Sequence, residues 1–219
     1  MKKFSLLDVV ASIIILLPVV YLLWAYTALP ALVPIHYGFN GKPDAFGSKK
    51  EFLNTQIIVH FVAIALYLLF RFLPFIDPKR QVKYGGSTYQ KMALGIIVFF
   101  GALNISVTYA AAHRVVETHQ LIMPLIGLLF VFLGNIMNSI KPNYFAGIRT
   151  PWTLEDDNNW RATHRMAAKL YVVGGIIATI AILVLPEKAG VIIFAPCIIS
   201  VVFIPIVYSY VYFKKHKVN

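Results

Sequence analysis

The chain has 219 residues, 59% of them apolar and only 13% charged, against roughly 25% charged in an average soluble domain. That balance excludes an ordinary water-soluble globule, and the single Cys197 excludes an internal disulfide. The net charge of +11 would suggest nucleic acid in a soluble protein, but here its distribution along the chain argues for a membrane fringe.

At about 20 apolar residues for each crossing of a ~30 Å hydrocarbon layer, a chain of this length holds around six helical spans with short connections. Residues 9–28 form the first apolar run. Met1-Lys2-Lys3 precedes it, but the run is too long for a secretory signal and no small-residue cleavage site follows. Tyr21, Trp24 and Tyr26 near its far end suit rings at the membrane interface. The later runs are 52–76, 92–112, 120–140, 167–185 and 191–213. None alternates strictly between apolar and polar residues, so an outer-membrane barrel is the weaker reading. The fold class expected is an all-α membrane protein of six transmembrane helices.

Orientation follows from the cations. With the N-terminus inside, Lys2 and Lys3, the cations of 79–91 (Lys79, Arg80, Lys83, Lys91), those of 141–169 and the Lys214-Lys215-His216-Lys217 tail all fall on the cytoplasmic side. The outer segments carry fewer: Lys42, Lys49, Lys50, Arg114 and Lys188. The excess of inner cations places both termini in the cytoplasm. The protein is expected in the cytoplasmic (inner) membrane, with membrane lipids as partners and no direct nucleic-acid contact. The chain divides into an N-terminal two-helix unit, 1–91, and a four-helix unit, 92–219.

Between the first two spans lies an outer loop, 29–50. Pro30 and Pro34 fix extended backbone, Asn40-Gly41 favours a tight turn, and Ser48 or Asn54 suits the cap of the next helix. His36 and Asp44, eight residues apart across the turn, are positioned to hydrogen bond. A metal site there needs a third ligand, for which Glu117 and His119 are the nearest outer candidates. His36, Tyr37, Asp44 and Phe46 are the candidate ligand contacts. The alternative is structural: Asp44 caps a turn and His36 packs beside Tyr37.

The inner loop, 138–168, interleaves charge, amide and aromatic residues. Thr153 with Asp156 three residues later resembles a helix start, and Trp160 and His164 share a helix face at spacing four. Arg149, Trp152, Trp160, His164 and Arg165 are the candidate partner-binding set, a polar pocket suited to an anionic headgroup, a peptide or a protein. The same residues equally suit an interfacial amphipathic helix, with Arg149, Arg161 and Arg165 toward phosphates.

At membrane depth the polar residues are few. Asn104, Asn135 and Asn138 are expected to hydrogen bond between helices, and no carboxylate lies mid-span, which disfavours a proton-driven transporter. No Gly-rich phosphate loop, paired-Cys motif, His-Glu-x-x-His sequence or nucleophile elbow occurs, so no catalytic residue, metal or cofactor is assigned.

Gly134-Asn135, Lys141-Pro142-Asn143, the run Gly147-Ile148-Arg149-Thr150-Pro151-Trp152-Thr153-Leu154, Trp160 and Thr163-His164-Arg165 together resemble the signature of the SdpI family of integral-membrane immunity proteins. Leu29-Pro30, Pro34, His36, Gly41, Pro43-Asp44 and Gly47-Ser48-Lys49 resemble the small domain of unknown function that commonly precedes it. The resemblance implies resistance to a secreted extracellular peptide toxin, bound by the membrane protein, and recruitment of a cytoplasmic transcriptional repressor. The alternatives are a membrane enzyme acting on lipid or peptide, through His36 with Asp44 or His164 with Glu155 or Asp156, and a small-solute transporter.

Overall fold

The computed structural model describes residues 6–76, 87–115 and 118–217. Lys2, Lys3, Lys79, Arg80, Lys83 and Glu117, invoked above for orientation and for a metal site, lie outside them. In chain order the elements are α1 (Leu6–Ala25), a 3-10 turn (Tyr26–Ala28), β1 (Leu32–Tyr37), β2 (Pro43–Ser48), α2 (Lys49–Ile76), α3 (Ser87–His113), α4 (His119–Met137), α5 (Pro151–Glu155), α6 (Asp157–Val184) and α7 (Glu187–Lys217).

Six helices are long and apolar enough to cross a membrane: α1, α2, α3, α4, α6 and α7. The protein is a multi-pass helical membrane protein. Leu23, Trp24, Phe61, Val184 and Ile192 are each at least two-thirds exposed, a heavy loss in water that a lipid environment removes. Pro18, Pro124, Pro196 and Pro205 are accommodated inside helices.

The described residues form two compact units, one comprising residues up to 68 with 93–125, the other 69–92 with 126–219. Each therefore combines segments from both sides of the chain-order division at 91/92.

In the first unit, β1 and β2 form an antiparallel hairpin, so the extended backbone and tight turn expected of the outer loop are organised as a paired strand ladder. The turn is Phe39-Asn40-Gly41: Gly38 N–H donates to Lys42 O (2.9 Å), Gly41 N–H to Gly38 O (2.8 Å), and Gly41 takes φ +71°. A three-residue hairpin loop with glycine in the left-handed region gives the strands their natural twist. Val33 faces inward and is fully buried with Leu22, Leu29, Phe52 and Ala111. Ser48 and Glu51 close a capping box at the start of α2, with Ser48 N–H donating to Glu51 Oε2 (2.7 Å) and Glu51 N–H to Ser48 Oγ (3.3 Å). Asp8, one residue before the expected first run, is buried in the first turn of α1 and accepts from Tyr67 Oη (3.2 Å).

In the second unit, α4 and α6 approach through small residues. A Cβ at Gly134 would lie 2.8 Å from Ala168 O, and one at Gly175 2.5 Å from Gly127 O. In lipid, where apolar side chains gain little by leaving the solvent, such close backbone approach is a principal source of helix association.

Candidate functional site

Two sites are built from the residues singled out in the sequence, and the first is the hairpin. Odd and even strand positions face opposite ways, so His36, Asp44, Phe46 and Leu32 are exposed while Val33 and Gly47 are buried. His36 Nδ1 donates to Asp44 Oδ1 at 2.6 Å. Tyr37 turns the other way: its hydroxyl is buried with no hydrogen-bond partner among the described residues, and burial pushes its phenol up to about 12.

Phe46, 58% exposed, lines a groove of about 630 Å³ with Leu32, Pro34, Pro43, Ala110 and Arg114. That size falls within the range of small-molecule and peptide-anchor pockets. The hairpin tip is held against the start of α4. Thr118 Oγ1 donates to Gly41 O, and a Cβ on Gly41 would fall 2.7 Å from His119 Cα. His119 is buried with neither ring nitrogen partnered among the described residues. No group of three His, Cys, Asp or Glu side chains is placed to hold a metal among them.

The second site is the connector between α4 and α6. Asn143, fully buried, organises it: its Nδ2 donates to Lys141 O (2.8 Å), Ala146 O (3.1 Å) and Tyr89 Oη (3.3 Å), and its Oδ1 accepts from Phe145 N–H (2.8 Å) and Ala146 N–H (2.7 Å). Helix initiation differs from the expected Thr153–Asp156 start. Thr150 and Thr153 form the capping box of α5, with Pro151 at its first position, and Asp156 caps α6 by accepting from Asn158 N–H (2.8 Å). Thr153 serves the interior instead, donating to Ile148 O (2.8 Å). The connector is latched to α7 through Ser209, whose O accepts from Asn159 Nδ2 (2.9 Å) and whose Oγ meets Thr150 Oγ1 (3.1 Å).

The expected shared face of Trp160 and His164 is present, and it is buried: both are 1% exposed. Their rings stack at 4.1 Å and 17°. His164 Nδ1 donates to Trp160 O (2.8 Å), Nε2 accepts from Ile148 N–H (3.1 Å), and Trp160 Nε1 donates to Ile140 O (2.8 Å). Both imidazole nitrogens are thereby committed in the neutral Nδ1–H tautomer, and neither Glu155 nor Asp156 is among their bonding partners. Gly147, φ +104°, allows this closeness, since a Cβ there would collide with His164 Nε2.

Trp160, His164 and Arg165 come together at a cleft of about 470 Å³, whose remaining wall includes Lys141, Asp157 and Arg161. Arg149 and Trp152 lie apart from it. Arg149 Nη1 donates to Tyr144 O (2.5 Å), and Trp152 packs against Tyr210 and Phe213 at 4.9 and 6.1 Å. Lys141, Arg161 and Arg165 are exposed. The 28 residues of α6 span about 42 Å at ~1.5 Å per residue, roughly 12 Å more than the ~30 Å hydrocarbon layer. Arg161 and Arg165 lie in its polar first turns, the stretch of the helix least suited to hydrocarbon.

Asn104 and Asn135, expected to bond between helices, donate within their own: Asn104 to Phe100 O (3.2 Å) and Asn135 to Val131 O (2.9 Å). The carbonyl four residues back is always within reach and competes with a neighbouring helix. Asn138 is exposed. Lys141, Asn143, Thr153, Asn159 and Ser209 were not among the candidate residues. The signal available for the last four was a small polar side chain in an apolar or aromatic setting.

Residues 139–209 match the SdpI/YfhL protein family, and residues 13–59 match a domain of unknown function, DUF1648. The chain is 29% identical to the protein named Immunity protein SdpI of Bacillus subtilis (strain 168) over 216 residues, covering 98% of each. No solved structure matches. The resemblance read from the two loops is borne out.

Proposed function

We propose, for a chain that carries the SdpI/YfhL segment behind a DUF1648 segment, a multi-pass membrane immunity protein that binds a secreted peptide toxin on its outer hairpin. The groove beside Phe46 receives an apolar side chain of the toxin, and the His36–Asp44 pair at the hairpin surface supplies polar contacts. The connector carrying Arg149, Trp152, Trp160, His164 and Arg165 faces the cytoplasm, where it recruits a transcriptional repressor once the toxin is bound. Such coupling requires the toxin to bind one helix arrangement better than another.

The observation that carries the reading is the open groove of about 630 Å³ with Phe46 and Leu32 exposed at its edge, in a chain that aligns end to end with a protein named for immunity. Exposed aromatic and aliphatic anchors beside a concavity are the usual centre of a peptide interface. The test is expression in a toxin-sensitive bacterial strain, with membrane insertion checked separately. Survival under toxin challenge, lost in Phe46→Ala, supports the proposal; unchanged killing by candidate peptide toxins contradicts it.

A further inference from the structure

The cleft floored by Trp160 and His164 has an imbalance of charge. Lys141, Arg161 and Arg165 line it against the single carboxylate of Asp157, and none of the three cations has an ion pair among the described residues. The floor offers no countercharge, because the His164 nitrogens are occupied by Trp160 O and Ile148 N–H. It is also fixed in place by the Trp160 bond to Ile140 O. Asn138 and Ser139 add neutral polar groups to the same wall. Arg161 and Arg165 in the first turns of α6 suit the end of a helix that leaves the hydrocarbon better than its interior.

We propose that the cleft binds the phosphate ester of an anionic ligand, with Arg161 and Arg165 holding its oxygens and Lys141 closing the site. Guanidinium forks match phosphate oxygens two at a time, and a lysine adds a mobile point charge. A carboxylate ligand would use only part of this donor set. The inference deepens the reading of the inner connector and rests on its place at the membrane surface; it does not depend on toxin recognition.

The experiment uses the full-length protein in a neutral detergent, with binding followed by thermal stabilisation during titration. The three probes are phosphatidylglycerol, sn-glycerol 3-phosphate and diacylglycerol, the last having the chains without the phosphate. The variants are Lys141→Gln, Arg161→Gln, Arg165→Gln and the triple. Saturable stabilisation by phosphatidylglycerol is expected, weakened roughly fivefold by each single neutralisation and about a hundredfold by the triple, and weakened by added salt. If glycerol phosphate stabilises equally, the site takes a soluble phosphate ester; if only phosphatidylglycerol does, it takes a lipid headgroup. Equal stabilisation by diacylglycerol, or stabilisation unchanged in the single variants, overturns the proposal. No toxin enters the measurement, so its failure leaves the immunity reading standing, and a failed challenge assay leaves this one standing.

Discussion

His164 and Trp160 stack one helical turn apart, 4.1 Å between ring centroids, and His164 takes the Ile148 N–H on its far nitrogen. The histidine joins α6 to the loop that precedes α5, so its role is architectural. His164→Ala leaves a buried N–H unsatisfied beside a cavity, at a cost of about 2–4 kcal/mol. A lowered midpoint of thermal unfolding in detergent is expected, and faster proteolysis of the connector.

Gly147→Ala meets two penalties at one site: a φ of +104° that an L side chain rarely adopts and a Cβ directed into His164 Nε2. The expected loss is about 1–3 kcal/mol. Because the clash is with His164, the double variant Gly147→Ala, His164→Ala should be less destabilised than the sum of the two. Additive midpoint shifts would show that the backbone conformation alone carries the cost.

Asn143→Asp exchanges a buried amide that donates to Lys141 O, Ala146 O and Tyr89 Oη for a group that only accepts when ionised. Several kcal/mol of local stability should be lost, since the carbonyl oxygens of Lys141 and Ala146 would then face a carboxylate with no donor between them. Limited proteolysis should cut 138–150 in this variant and spare the wild type.

The His36–Asp44 bond joins two exposed side chains, and a pair of that kind contributes under ~1 kcal/mol. Asp44→Asn should leave the unfolding midpoint nearly unchanged. If the proposed function holds, the same change reduces survival under toxin challenge, separating a binding role from a structural one.

Tyr37 offers a pH signature. Its phenol, about 12 in the folded protein against 10 ordinarily, favours the neutral form on folding, so its contribution is complete below pH 10 and lost as pH rises through 10 to 12. Tyr37→Phe, which also removes an unpartnered buried hydroxyl, should cost little at neutral pH and become relatively stabilising above pH 10. The wild-type minus Tyr37→Phe ultraviolet titration should show one tyrosine ionising near 12.

The six spans were legible in the sequence because each is a long apolar run, and lipid selects on that property alone. Their ends were less so. α6 begins at Asp157 and not near 167, since Arg161 and Arg165 interrupt hydropathy without interrupting the helix. The hairpin turn was legible in Asn40-Gly41, but Pro34, Pro43 and Gly47 hid strands whose burial rests on Val33. At the connector the spacing of Trp160 and His164 was legible; their burial was not. It depends on Ile140 and Ile148, and on the Ser209 latch to Thr150 and Asn159, 59 and 50 residues distant along the chain, and no local pattern encodes those partners.

The proposed two-sided arrangement, with the hairpin outside and the connector inside, is tested most directly by labelling intact cells with a membrane-impermeant thiol reagent. The starting protein is Cys197→Ser, with Phe39→Cys at the hairpin tip or Glu155→Cys in the connector, both exposed positions. The Phe39→Cys protein should be labelled in intact cells and the Glu155→Cys protein only after the membrane is breached. Labelling of both from the same side would contradict it.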